Sequence, residues 1–185
     1  MNPDPAFSTP TPADYDRYLI ALDRYAKICA EAPEVWHRAD VTEFSELKRA
    51  LLPWAENGDV RCQYALATIS RLGLCCESED ALASQHASLS AEATPWLIAA
   101  ARQGYWPAVD NLATSGVGPE AARVSAAFAQ LSRERADLVG FAHGMPVYGP
   151  PFVEELTRRL FGRVIASEVE DSRPSAAATE SRLEG

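Results

Sequence analysis

Several features that mark common classes of protein are scarce in this sequence. The longest apolar run, Trp96 to Ala101, is far shorter than the roughly 20 residues that a membrane-spanning helix needs. The first residues contain no basic segment followed by an apolar one, as an export signal would, and are rich in Pro, Ser and Thr. We therefore expect a cytoplasmic protein without a membrane-spanning helix.

Positive charge is also scarce. Acidic residues outnumber basic ones by 26 to 17, which gives a formal net charge of -9. A field of this sign repels phosphate backbones and anionic lipid surfaces. Lys27 and Lys48 are the only lysines, and the preference for arginine is typical of GC-rich bacterial coding. These observations predict a bacterial protein that binds neither nucleic acid nor membranes.

Cysteine is limited to four irregularly spaced residues, which do not form the pattern of a disulfide framework. Cys29 and Cys62 fall on apolar helix faces, where a free cysteine usually behaves as a small buried hydrophobe. Zinc could be bound by Cys75, Cys76, Glu77 and His86, but adjacent cysteines rarely bind one metal well and the chain has no second pair. We expect free thiols, no metal and no cofactor.

Alanine, in contrast, is abundant. It occupies 32 positions and has the best intrinsic helix propensity. With 185 residues, 47% apolar and 23% charged, the chain has the length and composition of one globular domain. The composition therefore predicts an all-α fold.

The chain divides into three parts. Residues 1–12 carry four prolines and predict a disordered, extended lead-in, while residues 13–167 predict the helical domain. Residues 168–185 are acidic and then rich in Ser and Ala, and because they lack the apolar surface that would offset the entropy of ordering, they predict a disordered acidic tail. Within the domain, apolar spacing predicts a first helix from Ala13 that ends before Pro33.

The next two helices are predicted from caps and breaks. Thr42 is a candidate cap for the second helix, which Pro53 should kink or divide and Gly58 should end. Asp59 is a good cap for the third helix, and Gly73 stands where a left-handed residue would end it.

Residues 74–93 predict a loop and a short helix. Thr94 followed by Pro95 predicts the start of a further helix, because proline is favoured at the first helical position, and Gly104 should close it. The remaining predictions are helices over 107–115 and 119–138, a loop over 140–151 and a last helix through Phe152, Leu156, Leu160, Phe161 and Val164.

An internal repeat links two segments of the domain. Gly58 corresponds to Gly104, an offset of 46 residues, and each copy reads as helix, glycine turn and helix. The other matched pairs are Ala55 with Ala101, Leu66 with Leu112, and Ala67 with Ala113. One such unit cannot bury its apolar face alone, so the units should stack.

The two copies, about 44–73 and 94–118, resemble Sel-one-like repeats. The residues that carry the resemblance are Ala55, Gly58, Gln63, Tyr64, Leu66, Ala67 and Gly73 in the first copy, and Trp96, Ala100, Ala101, Gln103, Gly104, Ala108, Asn111, Leu112 and Ala113 in the second. The first copy lacks the tryptophan, and the offset exceeds the usual repeat length of the family by about ten residues. The resemblance implies a short right-handed α-solenoid of antiparallel helix pairs, related to tetratricopeptide arrays, with the flanking helices as caps.

The resemblance also implies an adaptor or scaffold that binds a protein or peptide partner and catalyses no reaction. Aromatic residues are favoured at interface centres, and the first helix of each pair is expected to line the concave face. The candidate binding residues are therefore Tyr64, Trp96, Arg102, Gln103, Tyr105 and Trp106.

Two alternatives to an adaptor stay open. The first is a dedicated inhibitor, immunity protein or chaperone for one partner, which would suit the small size and the acidic charge. The second is a metal- or thiol-dependent enzyme that uses Cys75, Cys76, His86 or His143. It is disfavoured because these residues show no recognisable catalytic spacing.

Overall fold

A computed structural model describes residues 12–33, 36–116, 118–142 and 145–162, and these residues are mostly helical with one small strand pair. The elements are α1 (Ala13–Glu31), α2 (Val41–Glu56), α3 (Val60–Arg71), α4 (Glu79–Arg102), α5 (Trp106–Ser115), α6 (Pro119–Glu134), β1 (Val139–Ala142), β2 (Met145–Tyr148) and α7 (Pro150–Phe161). The predicted tail and, except for Pro12, the predicted lead-in lie outside the described residues, as do His143 and Val164.

The first three helices follow the predicted pattern with one change of cap and one of continuity. Asp40, and not Thr42, caps α2, because its carboxylate accepts the backbone N–H of Glu43 at 2.9 Å. Pro53 does not divide α2, which continues to Glu56 with Ala55 buried against the core. Asp59 caps α3 as predicted, accepting from the backbone N–H groups of Arg61 at 3.0 Å and Cys62 at 2.9 Å.

The predicted loop at the start of 74–93 is confirmed over residues 74–78, but the predicted short helix and the break at Pro95 are wrong, because Glu79–Arg102 forms one helix. The Thr94 hydroxyl does not cap a new helix but donates to the Ser90 carbonyl at 2.8 Å, within α4. Ala93 and Leu97 are both buried beside the proline, so packing against α3 holds the helix together there. Residues 83–88, near the other end of α4, are all exposed.

The segment 140–151, predicted as a loop, instead contains most of an antiparallel hairpin. Val139 pairs with Tyr148 and Phe141 with Pro146. Tyr148 anchors the hairpin, since the centroid of its ring lies 4.5 Å from the ring centroid of Phe128 on α6. The preceding helix α6 ends earlier than predicted, and a short 3-10 turn over Ala136–Leu138 leads into β1.

The core has two parts that meet at α3. One cluster is formed by buried side chains of α1, α2 and α3, and the other by α4, α5, α6 and α7 together with Val60 and Ala67 of α3. Trp96 is partly buried and packs against both clusters. Each helix packs against the next in the chain, most extensively α3 against α4.

The two glycine turns of the sequence repeat have the same conformation. Gly58 has φ 94° and Gly104 has φ 91°, a backbone region in which glycine is favoured. The turns share a hydrogen-bond pattern: Gly58 N to Ala55 O at 3.0 Å and Asp59 N to Trp54 O at 3.0 Å, against Gly104 N to Ala101 O at 2.8 Å and Tyr105 N to Ala100 O at 3.1 Å. The pairs α2–α3 and α4–α5 are therefore joined alike.

Candidate protein-binding face

Tyrosines connect the odd-numbered helices α1, α3 and α5. Tyr18 of α1 lies beside Thr68 of α3. Tyr64 of α3 accepts a hydrogen bond from the Asn111 side-chain amide of α5 at 2.7 Å. Its ring also meets the ring of Tyr105 edge to face, with centroids 5.3 Å apart. Side chains therefore link these helices directly, without the even-numbered ones.

Burial keeps these phenols protonated. Tyr15 and Tyr18 of α1 and Tyr105 before α5 are buried, and Tyr64 is half-buried. Desolvation raises the pKa of each of the four hydroxyls above its ordinary value, because the phenolate would lose its hydration. The four hydroxyls, which are protonated at neutral pH even without burial, therefore stay protonated further into the alkaline range.

Two arginines and one aspartate border the tyrosines. The Arg61 guanidinium lies 5.7 Å from the centroid of the Tyr15 ring, a distance at which a cation is attracted to an aromatic face. Burial raises the pKa of the Asp110 carboxyl, while the charge of nearby Arg71 opposes that rise. We call Arg61, Tyr64, Arg71, Asp110 and Asn111, all partly exposed, the tyrosine face.

A pair of glutamines joins the two glycine turns next to this face. The Gln103 side-chain amide donates to the side-chain oxygen of Gln63 at 2.8 Å. Gln63 in turn donates to the backbone carbonyl of Ala55 at 3.0 Å, and it is buried. The turn of the second helix pair is thus tied to the turn of the first, which fixes the two pairs against each other.

The structure distributes the six predicted binding residues over several environments. Tyr64 and Tyr105 adjoin each other at the tyrosine face, although Tyr105 is only 3% exposed, and Gln103 belongs to the glutamine pair. Trp96 and Trp106 are partly buried and pack on the core. Arg102 is exposed and lies 3.7 Å from the Glu120 carboxylate of α6.

Sequence reasoning did not select several residues of the tyrosine face. Arg61, Arg71, Asp110 and Asn111 come together only because α3 and α5 are neighbours in space. One signal was available, since Tyr64 lies 46 residues after Tyr18, the same offset as the glycine turns.

A separate groove lies between α1 and the start of α2, with a volume of about 730 Å³. Its floor includes Ala21 and Phe44, and Ile28 and Arg38 stand at its edge. Arg24 on the α1 side forms an ion pair with Glu43 on the α2 side. The groove therefore has an apolar floor and carries charges of both signs.

The thiols considered for chemistry are poorly activated. Burial raises the pKa of Cys62 to about 12 and also raises the pKa of Cys76, so both thiols stay protonated at neutral pH. His86 is exposed on α4. Among the described residues, no group of three or more His, Cys, Asp or Glu side chains could hold a metal ion.

Neither the apolar character of the helices nor similarity to known proteins assigns a functional class to the chain. In the part of the chain that the structure describes, no helix combines the length and the apolar character that crossing a membrane would require. No family model, curated protein or solved structure matches this chain. A proposal for its function therefore rests on its own residues, foremost those of the tyrosine face.

Proposed function

We propose that this chain is a protein-binding module of the cytoplasm, an adaptor or scaffold that holds a protein or peptide partner on the tyrosine face. The observation that carries the proposal is that half-buried Tyr64 lies near Arg71 on α3, a helix that also carries Arg61 and that side chains tie to α1 and α5. Tyrosine and arginine are enriched among the residues that contribute most to binding free energy. A surface that is already ordered also loses less entropy when it binds.

We infer a short α-solenoid, which the order in which the helices pack supports, and the Sel-one-like resemblance implies that it is right-handed. Each helix packs on the next, and α1 also contacts α3 while α5 contacts α7. On the even-numbered side, α2 and α4 are joined by the ion pair of Lys48 and Glu92 at 2.5 Å. Because the odd-numbered helices contact one another directly, the stack of helices should curve toward them. We therefore propose that the second helix of each pair lines the concave surface, whereas the sequence led us to expect the first.

An inhibitor, immunity protein or chaperone for one partner is the second candidate function. The net charge of -9 favours it, because an acidic protein attracts a basic partner over long range and suppresses binding of other acidic proteins. The two candidates differ in the number of partners. A dedicated inhibitor should retain one dominant basic protein, and a scaffold should retain several proteins.

An affinity capture from cells of the source organism tests the proposal with the full chain as bait. Wild type should be compared with Arg71→Ala and Tyr64→Phe, which alter the tyrosine face, and with Arg133→Ala, which removes an exposed arginine from α6. We expect proteins retained by wild type and by Arg133→Ala to fall by at least about tenfold with Arg71→Ala in quantitative mass spectrometry. Equal capture by all four baits would reject the tyrosine face as the binding site.

A further inference from the structure

The sequence of α1 reads as a third copy of the second repeat helix and of the turn after it, 46 residues before α3. Tyr18 corresponds to Tyr64 and Cys29 to Cys75 at this offset. An aliphatic residue followed by alanine recurs at the same place in α1, α3 and α5, as Ile20-Ala21, Leu66-Ala67 and Leu112-Ala113. Ala21 is buried, as is Ala67, so both helices turn this alanine toward the core.

One face of the copy is covered in α3 and α5. In α3, Cys62, Leu66 and Ile69 are almost completely buried in the cluster shared with α2. In α5, Ala108 and Leu112 have no exposed surface and belong to the cluster shared with α4. In both pairs, the first helix of the pair contributes to the core that buries this face.

The corresponding face of α1 is uncovered. Ile20, the counterpart of Leu66, is 67% exposed, and Leu19 beside it is 40% exposed. The neighbours of Ile20 on this face are Asp16 and Asp23, both exposed, in place of Cys62 and Ile69 of α3. Lys27 follows one turn later and forms an ion pair with Asp23 at 2.6 Å. We call Asp16, Leu19, Ile20, Asp23 and Lys27 the open α1 face.

In the pairs α2–α3 and α4–α5, the first helix covers this face of the second. Among the described helices, none lies in that position beside α1. Helix α1 packs mainly against α2 and α3, through its opposite side. At the offset of 46 residues, residues 1–10 are the counterpart of 47–56 in α2. At the positions of the buried Leu51 and Ala55 they carry Pro5 and Thr9, so the sequence does not repeat the apolar pattern of α2 there.

We propose that the open α1 face binds an amphipathic, basic helix of another protein, in the position that α2 takes on α3. The apolar centre at Leu19 and Ile20 would accept the apolar stripe of that helix, and Asp16 and Asp23 would pair with its Lys or Arg residues. The net charge of -9 attracts such a partner, while a second copy of this chain would bring the same charge to the interface. The inference rests on the proposed function only in that the chain binds proteins, because this face is distinct from the tyrosine face.

Photo-crosslinking identifies what lies on this face. The photoreactive residue p-benzoylphenylalanine would replace Ile20, and Arg133 of α6 in a control, in the full chain expressed in the source organism. After irradiation, we expect the Ile20 site to cross-link to one segment of another protein that has apolar residues at helical spacing and a net positive charge. The proposal is overturned if the Ile20 site cross-links to a second copy, to another segment of the same chain or to an acidic segment, or if it yields no more product than the Arg133 site.

Binding of the cross-linked segment, made as a synthetic peptide, then separates the two surfaces. By fluorescence anisotropy, Ile20→Asp should weaken binding by at least about 30-fold, because it removes buried apolar area and adds a charge. Asp16→Asn combined with Asp23→Asn should weaken binding less and reduce its salt dependence, while Arg71→Ala should leave it unchanged. Loss of binding with Arg71→Ala and not with Ile20→Asp would reject the open α1 face and keep the tyrosine face.

Discussion

Leu66 and Ile20 occupy corresponding positions of α3 and α1, and truncating each to alanine should have very different costs. Leu66 is 1% exposed and Ile20 is 67% exposed. Leu66→Ala removes buried carbon atoms and leaves a cavity, so we expect the free energy of unfolding to fall by about 3 to 4 kcal/mol.

The expected cost at Ile20 is much smaller. Only a third of the side chain is removed from water, which makes about 0.7 kcal/mol of transfer free energy available for loss. Alanine has the better helix propensity, which offsets about 0.4 kcal/mol of that loss. Ile20→Ala should therefore change the free energy of unfolding by less than about 0.5 kcal/mol.

Urea unfolding, followed by far-UV circular dichroism, measures both variants against wild type at several protein concentrations. The dependence of the unfolding free energy on urea should be the same for all three proteins, so that midpoint shifts report stability alone. If Ile20→Ala lost as much stability as Leu66→Ala, another part of the chain or a second copy would cover Ile20. A loss that grew with protein concentration would identify the second copy. Either result would refute the open α1 face.

Three further predictions concern the backbone, a carboxyl and a thiol. A Cβ on Gly116 would lie 2.8 Å from the Leu112 carbonyl oxygen, so Gly116→Ala should cost about 2 kcal/mol in urea unfolding, while Gly149→Ala, whose nearest contact is 3.7 Å, should stay within about 0.5 kcal/mol of wild type. Burial raises the pKa of the Asp110 carboxyl, so its ionisation opposes folding above the folded-state pKa and has no effect below the unfolded-state pKa. The stability of Asp110→Asn relative to wild type should therefore rise between about pH 3 and about pH 7. A fall over that range would contradict this account. Cys62, with its pKa raised to about 12, should resist iodoacetamide in the native protein and react in urea, as peptide mapping would show; rapid native labelling would be inconsistent with its burial.

Local signals predicted the elements that depend on local interactions. Apolar spacing from Ala13 to before Pro33 predicted α1, which is Ala13–Glu31, and Asp59 predicted the start of α3. These signals suffice because a cap and its helix contact each other within one turn. The mostly helical class could be predicted for the same reason, from alanine content and periodicity.

Elements that depend on tertiary packing could not be predicted in this way. Thr94 and Pro95 would have the same sequence at a helix start as inside a helix, and the burial of Ala93 and Leu97 decides between them. The hairpin depends similarly on the contact of Tyr148 with α6, which lies earlier in the chain.

The candidate site was only partly predictable. Tyr64 could be selected because aromatic residues are common at interfaces, but its hydrogen bond with Asn111 requires α3 and α5 to be neighbours. The third repeat copy was harder to detect, because Asp16 and Asp23 interrupt the apolar pattern that Cys62 and Ile69 complete in α3. That interruption is itself what distinguishes an uncovered helix face from a covered one.

The exposed stretch of α4 offers a place to attach a spectroscopic label. Residues 83–88 contain no Asp, Glu, Lys or Arg and are exposed, and they cover more than one full turn of helix. Ser84 and Ser88 are four residues apart, so cysteines placed there could hold a two-armed spin label rigidly along the helix axis once the native thiols are replaced. Distances measured from this label would report the orientation of a bound partner while leaving both proposed binding surfaces unmodified.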